Sequence, residues 1–128
     1  MHITLEADYA VRIVGCLATA DKRLDSRTIS ARTGVTLRFS LKILHKLTSS
    51  GIVNSYKGAK GGYELARPAK DITLRDVIET VEGVYTFSRC LNPHYACHCD
   101  QDSCRFQRVF DEISEVVRDR LASATFVD

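Results

Sequence analysis

The 128-residue chain has no run of roughly eighteen apolar residues, the length a helix needs to cross a bilayer. Nor does it open on a secretory signal, because MHITLEADYAVRIV sets Glu6, Asp8 and Arg12 inside its apolar pattern. No membrane partner is expected, and the expected compartment is the cytoplasm. Acidic residues are almost missing from one block: residues 22–70 hold only Asp25 and Glu64 against eleven lysines and arginines. The glycine-rich tract in that block, GAKGG, is not closed by the Gly-Lys-Ser/Thr of a phosphate loop, and no helix starts where a pyrophosphate would sit. Nucleotide-dependent catalysis is set aside, and the chain is read as a non-enzyme.

What is present is charge gathered in one place. The whole chain carries only +2, yet residues 22–70 carry +9, between −2 over residues 1–21 and −5 over residues 71–128. Such a block repels itself unless an anion faces it. A phosphate backbone therefore competes with the plainer reading of a solvated face, and is favoured over it.

Periodicity divides the chain into helices. Ala10, Ile13, Val14, Leu17 and Ala18 share one face of a first helix from about Leu5 to Ala20. Ser26 is placed as the N-cap of a short second helix ending at Gly34. Thr36 then caps a third, Leu37 to about Ser50, stopped by Gly51. Two helices joined by a three- or four-residue turn containing glycine form a helix-turn-helix. On the third helix Leu37, Leu41, Leu44, Leu47 and Ile43 make an apolar stripe, and Arg38, Lys42, His45, Lys46 and Ser49 lie opposite. An exposed cationic helix suits a major groove, where N-terminal residues reach base edges, so the readout set is Thr36, Arg38, Phe39, Ser40 and Lys42. Phe39 as core and Thr36 as cap alone stay open.

Ile52, Val53 and Tyr56 before the glycine tract, with Tyr63 and Leu65 after it, predict a β-hairpin. Following a helix-turn-helix and bearing Lys57, Lys60 and Arg67, it reads as a wing on the DNA backbone. Thr73, with Asp76 completing a capping box, starts a fourth helix that buries Leu74, Val77, Ile78 and Val81 and ends at Gly83. Phe106, Val109, Phe110, Ile113, Val116, Val117 and Leu121 mark a long terminal helix. Its stripe is more than a chain this small can cover. A homodimer whose two-fold axis matches a palindromic operator is expected, against a helix folded back on its own core.

Between these helices Cys90, Cys97, Cys99 and Cys104 crowd a polar loop, CLNPHYACHCDQDSC. In a reducing compartment they point to a metal or to redox chemistry rather than to disulfides. Thiolates suit zinc as well as iron-sulfur clusters. A closed zinc site is disfavoured because one residue, not a two-to-four-residue knuckle, separates Cys97 from Cys99. Cys16, at an apolar position of the first helix, is read as core. The fold class is mainly α with a small β-hairpin. Residues 1–83 make a winged helix-turn-helix DNA-binding domain, 84–104 a cysteine-rich sensor loop, and 105–128 a dimerisation helix and tail.

ADYAVRIV, the helix-turn-helix from Ser26 to Ser50, the wing GAKGGYELAR, ITLRDVIETVEG and the cysteine loop together resemble the Rrf-type family of bacterial winged-helix regulators, of the IscR, NsrR, RirA and CymR kind. That resemblance implies a homodimer on a double-stranded DNA operator, read as a repressor that senses iron-sulfur or redox status through a cysteine-ligated cluster, 2Fe-2S or 4Fe-4S. Such a cluster is readily lost from an isolated sample. Carried over by position, the ligands are Cys90, Cys104 and, in the middle, Cys99, with Cys97 as the competing choice. The fourth position departs from the IscR pattern, since Gln107 stands where a histidine is expected. Asp8, in LEADYAV, matches the aspartate that NsrR-like members donate from the other subunit, and could equally be a surface carboxylate. His94, His98 and Cys97 are further choices. The alternative is a metal-free regulator controlled by thiol oxidation or a protein partner.

Overall fold

The computed structural model describes residues 2–92 and 104–127. Among them the order is α1 (Leu5–Thr19), α2 (Ser26–Thr33), α3 (Leu37–Ser49), β1 (Val53–Tyr56), β2 (Gly62–Leu65), α4 (Leu74–Glu82) and α5 (Arg105–Ser123), with 3-10 turns at Ala69–Asp71 and Arg89–Leu91. Cys97, Cys99, His94 and His98 lie outside the described residues.

Each of α1 to α4 begins at a side chain that takes up an orphan amide. Thr4 caps α1 through Ala7 N–H at 3.1 Å, and Thr36 caps α3 through Phe39 N–H at 3.3 Å. Thr73 and Asp76 close the expected box on α4, each accepting from the other's amide at 3.0 Å. For α2 the expectation shifts by one residue. Asp25, not Ser26, is the cap, accepting from Thr28 N–H at 2.8 Å. The reason is tertiary: Leu24 is held extended by reciprocal bonds to Tyr63, so the next residue becomes the boundary. Gly34 ends α2 with φ +76°, a left-handed conformation that costs glycine nothing.

The core forms where α1, α2, α3, α4 and β2 converge. Ile13, Val14, Ile29, Ile43, Leu44, Leu47, Ile72 and Val77 are fully buried there. β1 and β2 pair antiparallel from Val53↔Leu65 to Tyr56↔Gly62. Leu24 adds a bridge on the far edge of β2. Gly62 permits this, because a Cβ there would lie 2.7 Å from the Leu24 carbonyl oxygen. Thus the wing is hydrogen-bonded to the residue that leads into α2.

α5 divides its apolar residues between two neighbouring faces. Phe110 packs on Phe87 at 5.4 Å between ring centroids, and the buried Ser114 hydroxyl accepts from Phe87 N–H at 2.8 Å. Arg118 donates to the Tyr85 carbonyl at 2.6 Å. Val117 and Leu121 line the same side, with Tyr85 and Phe87. This face docks the strand of chain that follows α4. Phe106, Val109 and Val116 are exposed instead. Beyond α5, Leu74 N–H donates to the Ala124 carbonyl at 2.9 Å and Phe126 packs against the core. The tail thereby returns to the winged-helix body.

Candidate nucleic-acid interface and thiol segment

α3 shows its buried face through Ser40, Ile43, Leu44 and Leu47. Ser40 is the correction among the readout residues. It is fully buried and its hydroxyl donates to the Val35 carbonyl at 3.4 Å, so it holds the turn between α2 and α3 and presents nothing to a groove. The expected stripe also breaks at its start, since Leu37 and Leu41 remain 36% and 44% exposed. Near the N-terminal end of α3, Ser40 fills the inward position against Val35 that a leucine stripe would have claimed.

Arg38 and Lys42 are exposed, with Phe39 beside them in a hollow. Phe39 is 42% exposed and meets the Tyr9 ring edge-on, 5.9 Å between centroids, so it is a ledge between α1 and α3 rather than core. Thr36 is exposed while its hydroxyl oxygen serves the cap. Glu6, on α1, reaches across to Lys46 at 2.7 Å and Lys42 at 3.8 Å. The Lys46 hydrogen bond, the largest influence, holds the Glu6 carboxyl below its ordinary value; partial burial opposes this and the charges of both lysines add to it.

A second cationic surface lies where α2 meets the wing. A hollow of about 750 Å³ is lined by Lys22, Arg23, Arg32 and Lys60 together with Asp25, Thr28 and the wing glycines. Lys57 and Lys60 are exposed on the hairpin as expected. Arg67 is not available in the same way: it pairs with Asp76 at 3.1 Å and donates to the Asp71 carbonyl, tying the wing's base to α4. The two acids of the basic block are both occupied. Asp25 caps α2, which holds its carboxyl low through the Thr28 amide and hydroxyl, and Glu64 sits 3.5 Å from Arg23. Arg23 also lies over the Tyr56 ring at 3.4 Å. No sequence pattern singles out Lys22, Arg23, Arg32 or Glu6, because a charge count that includes them says nothing of which cations face one hollow or which acid sits beside α3.

Of the four thiols in the cysteine-rich segment, Cys90 and Cys104 are described, and both are free and half-buried. Cys104 is the N-cap of α5 without a side-chain cap bond. Cys90 lies in the 3-10 turn against the first turn of α5, where Gln107 donates to its carbonyl at 3.4 Å. The fold thus brings both segments to the N-terminal end of α5. Asp8 is bound to Arg12 at 3.0 Å, an exposed pair within α1. Cys16 is half-buried against the core. Among the described residues no group of three or more metal-ligating side chains converges, and no helix is long and apolar enough to cross a membrane.

Comparison with known proteins places this geometry. The chain is 31% identical over 121 residues to an rrf2-like regulator of helix-turn-helix type from Rhodobacter capsulatus, covering 87% of this chain and 80% of that one. Of the curated relatives it matches in Rhizobium meliloti and Mycobacterium tuberculosis it spans between 53% and 59% of their length. Two solved structures share its fold with a TM-score of 0.77. They are T. potens IscR, at 23% identity over 98% of this chain and 83% of that one, and the global cysteine regulator CymR of B. subtilis, at 23% over 98% and 93%. Residues 3–128 match the model of the Rrf2 family, described as iron-dependent transcriptional regulators, and on that match the chain belongs to the Rrf2 family.

Proposed function

We propose that the chain is a DNA-binding transcriptional regulator, acting as a cytoplasmic homodimer on a two-fold operator. In this reading α3 enters the major groove, and Lys57, Lys60 and the hollow at the start of α2 hold the backbone. The observation that carries it is the placement of the basic block: Arg38 and Lys42 stand exposed on α3, and Lys22, Arg23, Arg32 and Lys60 line one hollow. Binding of random and selected duplexes across a salt series tests it. A chain that binds neither, or whose binding ignores salt, ends the reading.

The sensor reading assigns Cys90, Cys104 and Cys99 to an iron-sulfur cluster, with repression as its output. Support comes from the two described thiols, which share the N-terminus of α5 and suit soft metal ligation. A bound cluster would supply a centre whose charge and ligation answer to oxidants and iron supply. Asp8 would have to leave Arg12 to serve as a fourth ligand, a small cost for an exposed pair. Anaerobic reconstitution of serine variants decides the assignment. Visible absorption should vanish in Cys90→Ser, Cys99→Ser and Cys104→Ser and persist in Cys97→Ser. Loss in Cys97→Ser with retention in Cys99→Ser moves the middle ligand. A colourless wild type whose operator affinity follows thiol oxidation favours the metal-free regulator instead.

A further inference from the structure

The outward face of α3 offers two kinds of side chain and lacks a third. Its sequence, LRFSLKILHKLTS, contains no asparagine, glutamine, aspartate or glutamate. The helix therefore has no amide to pair with adenine in two bonds and no carboxylate to accept from the cytosine amino group. Two of its hydroxyls are committed elsewhere, Ser40 being buried and Thr48 donating to the Leu44 carbonyl at 2.7 Å, and the third, Ser49, stands at the C-terminal end of the helix. What remains toward the N-terminal end is Arg38, whose fork matches the two acceptors of guanine, and two exposed leucines one turn apart.

Leu37 and Leu41 are interleaved with Arg38 and Lys42 on that end of α3. An apolar protein surface would bury these cations beside the leucines without compensation. A major groove meets both needs at once, with phosphates at its walls and thymine methyl groups on its floor. Phe39 is turned to the other flank against Tyr9 and does not share the leucine pair. We propose, resting on the DNA-binding reading above, that each operator half-site is read through a guanine by Arg38 and through thymine methyl groups by Leu41 and Leu37.

The test uses the full chain and a duplex it enriches from a random pool. Each thymidine is replaced in turn by deoxyuridine, which deletes only the methyl group, and each guanosine by its 7-deaza analogue, which deletes one acceptor. Affinity should fall about fourfold per methyl that is read, the worth of one buried methylene-sized group. The 7-deaza change should weaken binding at one position per half-site, and Arg38→Ala should abolish that sensitivity. Leu41→Ala, at an exposed position that leaves the core intact, should bind thymidine and deoxyuridine duplexes alike. Dispensable thymine methyls, or a Leu41→Ala protein that keeps its sensitivity to them, overturn the base code while leaving the regulator reading standing. A chain that enriches no duplex overturns both.

Discussion

α3 and α5 are both amphipathic helices, and they finish their packing in different ways. The 13-residue α3 buries Ile43, Leu44 and Leu47 within its own chain. The 19-residue α5 buries only Ser114, and leaves Phe106, Val109 and Val116 in solvent. Val116 is 69% exposed. Isolated surface hydrophobics are ordinary, but three on one stripe of one helix are a face without a partner. The contrast teaches that α3 completes its packing within one chain, while α5 keeps an apolar stripe exposed. A second copy supplies an identical stripe, which is why the dimer is proposed through Phe106, Val109 and Val116. Val117, which sequence periodicity places in the same stripe, belongs to the inner face with Leu121, Tyr85 and Phe87.

Truncation on the two helices should separate these cases most sharply. Leu44→Ala leaves a cavity in a fully buried site and should cost about 3 kcal/mol in denaturant unfolding. Val116→Ala should change the stability of a dilute sample by about 0.5 kcal/mol or less, as exposed substitutions do. Equal losses at the two positions would mean that α5 is already covered within one chain.

Charge on the outer stripe is the next test. Val116→Glu should give a monomer by sedimentation while leaving the winged-helix body folded by circular dichroism. Operator affinity should drop about a hundredfold, because the second half-site no longer binds at high effective concentration. Val117→Glu should instead loosen the Tyr85–Phe87 segment and lower stability. If Val117→Glu dissociates the protein and Val116→Glu does not, the division of α5 into two faces is mistaken.

The same contrast explains what the sequence made legible. Caps and helix ends are local chemistry, so Thr36, the Thr73–Asp76 box and the glycines at 34 and 83 were readable where they stand. The α2 cap falls on Asp25 rather than Ser26 because of a distant contact, the Leu24–Tyr63 pairing, which no local pattern contains. Ser40 belongs to the expected readers by its place at the N-terminal end of α3; its burial depends on the Val35 carbonyl waiting inside. For α5, periodicity found every apolar residue and could not assign them to two partners, since both faces repeat at the same spacing. At the thiols, Cys90 and Cys104 come together because the 3-10 turn packs on α5, a tertiary event.

Within the DNA-facing half, Lys60 should behave as a backbone contact. Lys60→Ala should weaken selected and random duplexes alike and reduce the slope of log affinity against log salt by about 0.9. Arg38→Ala should cost about 1–3 kcal/mol on the selected duplex and little on the random one. Identical behaviour of the two variants would erase the distinction between wing and helix.

The smallest effect concerns Glu6, the acid that faces the lysines of α3. Its carboxyl is held below the ordinary value of 4.5, chiefly by the hydrogen bond from Lys46. A depressed folded value means that the pairing stabilises the fold fully above the unfolded value and is lost as pH falls through the folded one. With the side chain 23% exposed, about 0.5–1 kcal/mol is at stake. Glu6→Gln should therefore be less stable than wild type at neutral pH, and the gap should close as pH is lowered below 4.5. On DNA the sign reverses. Releasing Lys42 and Lys46 from an acid should raise affinity for random duplex about twofold to fivefold at low salt and steepen the salt dependence. An unchanged gap between pH 7 and pH 3, measured by urea unfolding, would show that Glu6 supports the fold by packing alone, and an unchanged salt slope would show that neither lysine reaches a phosphate.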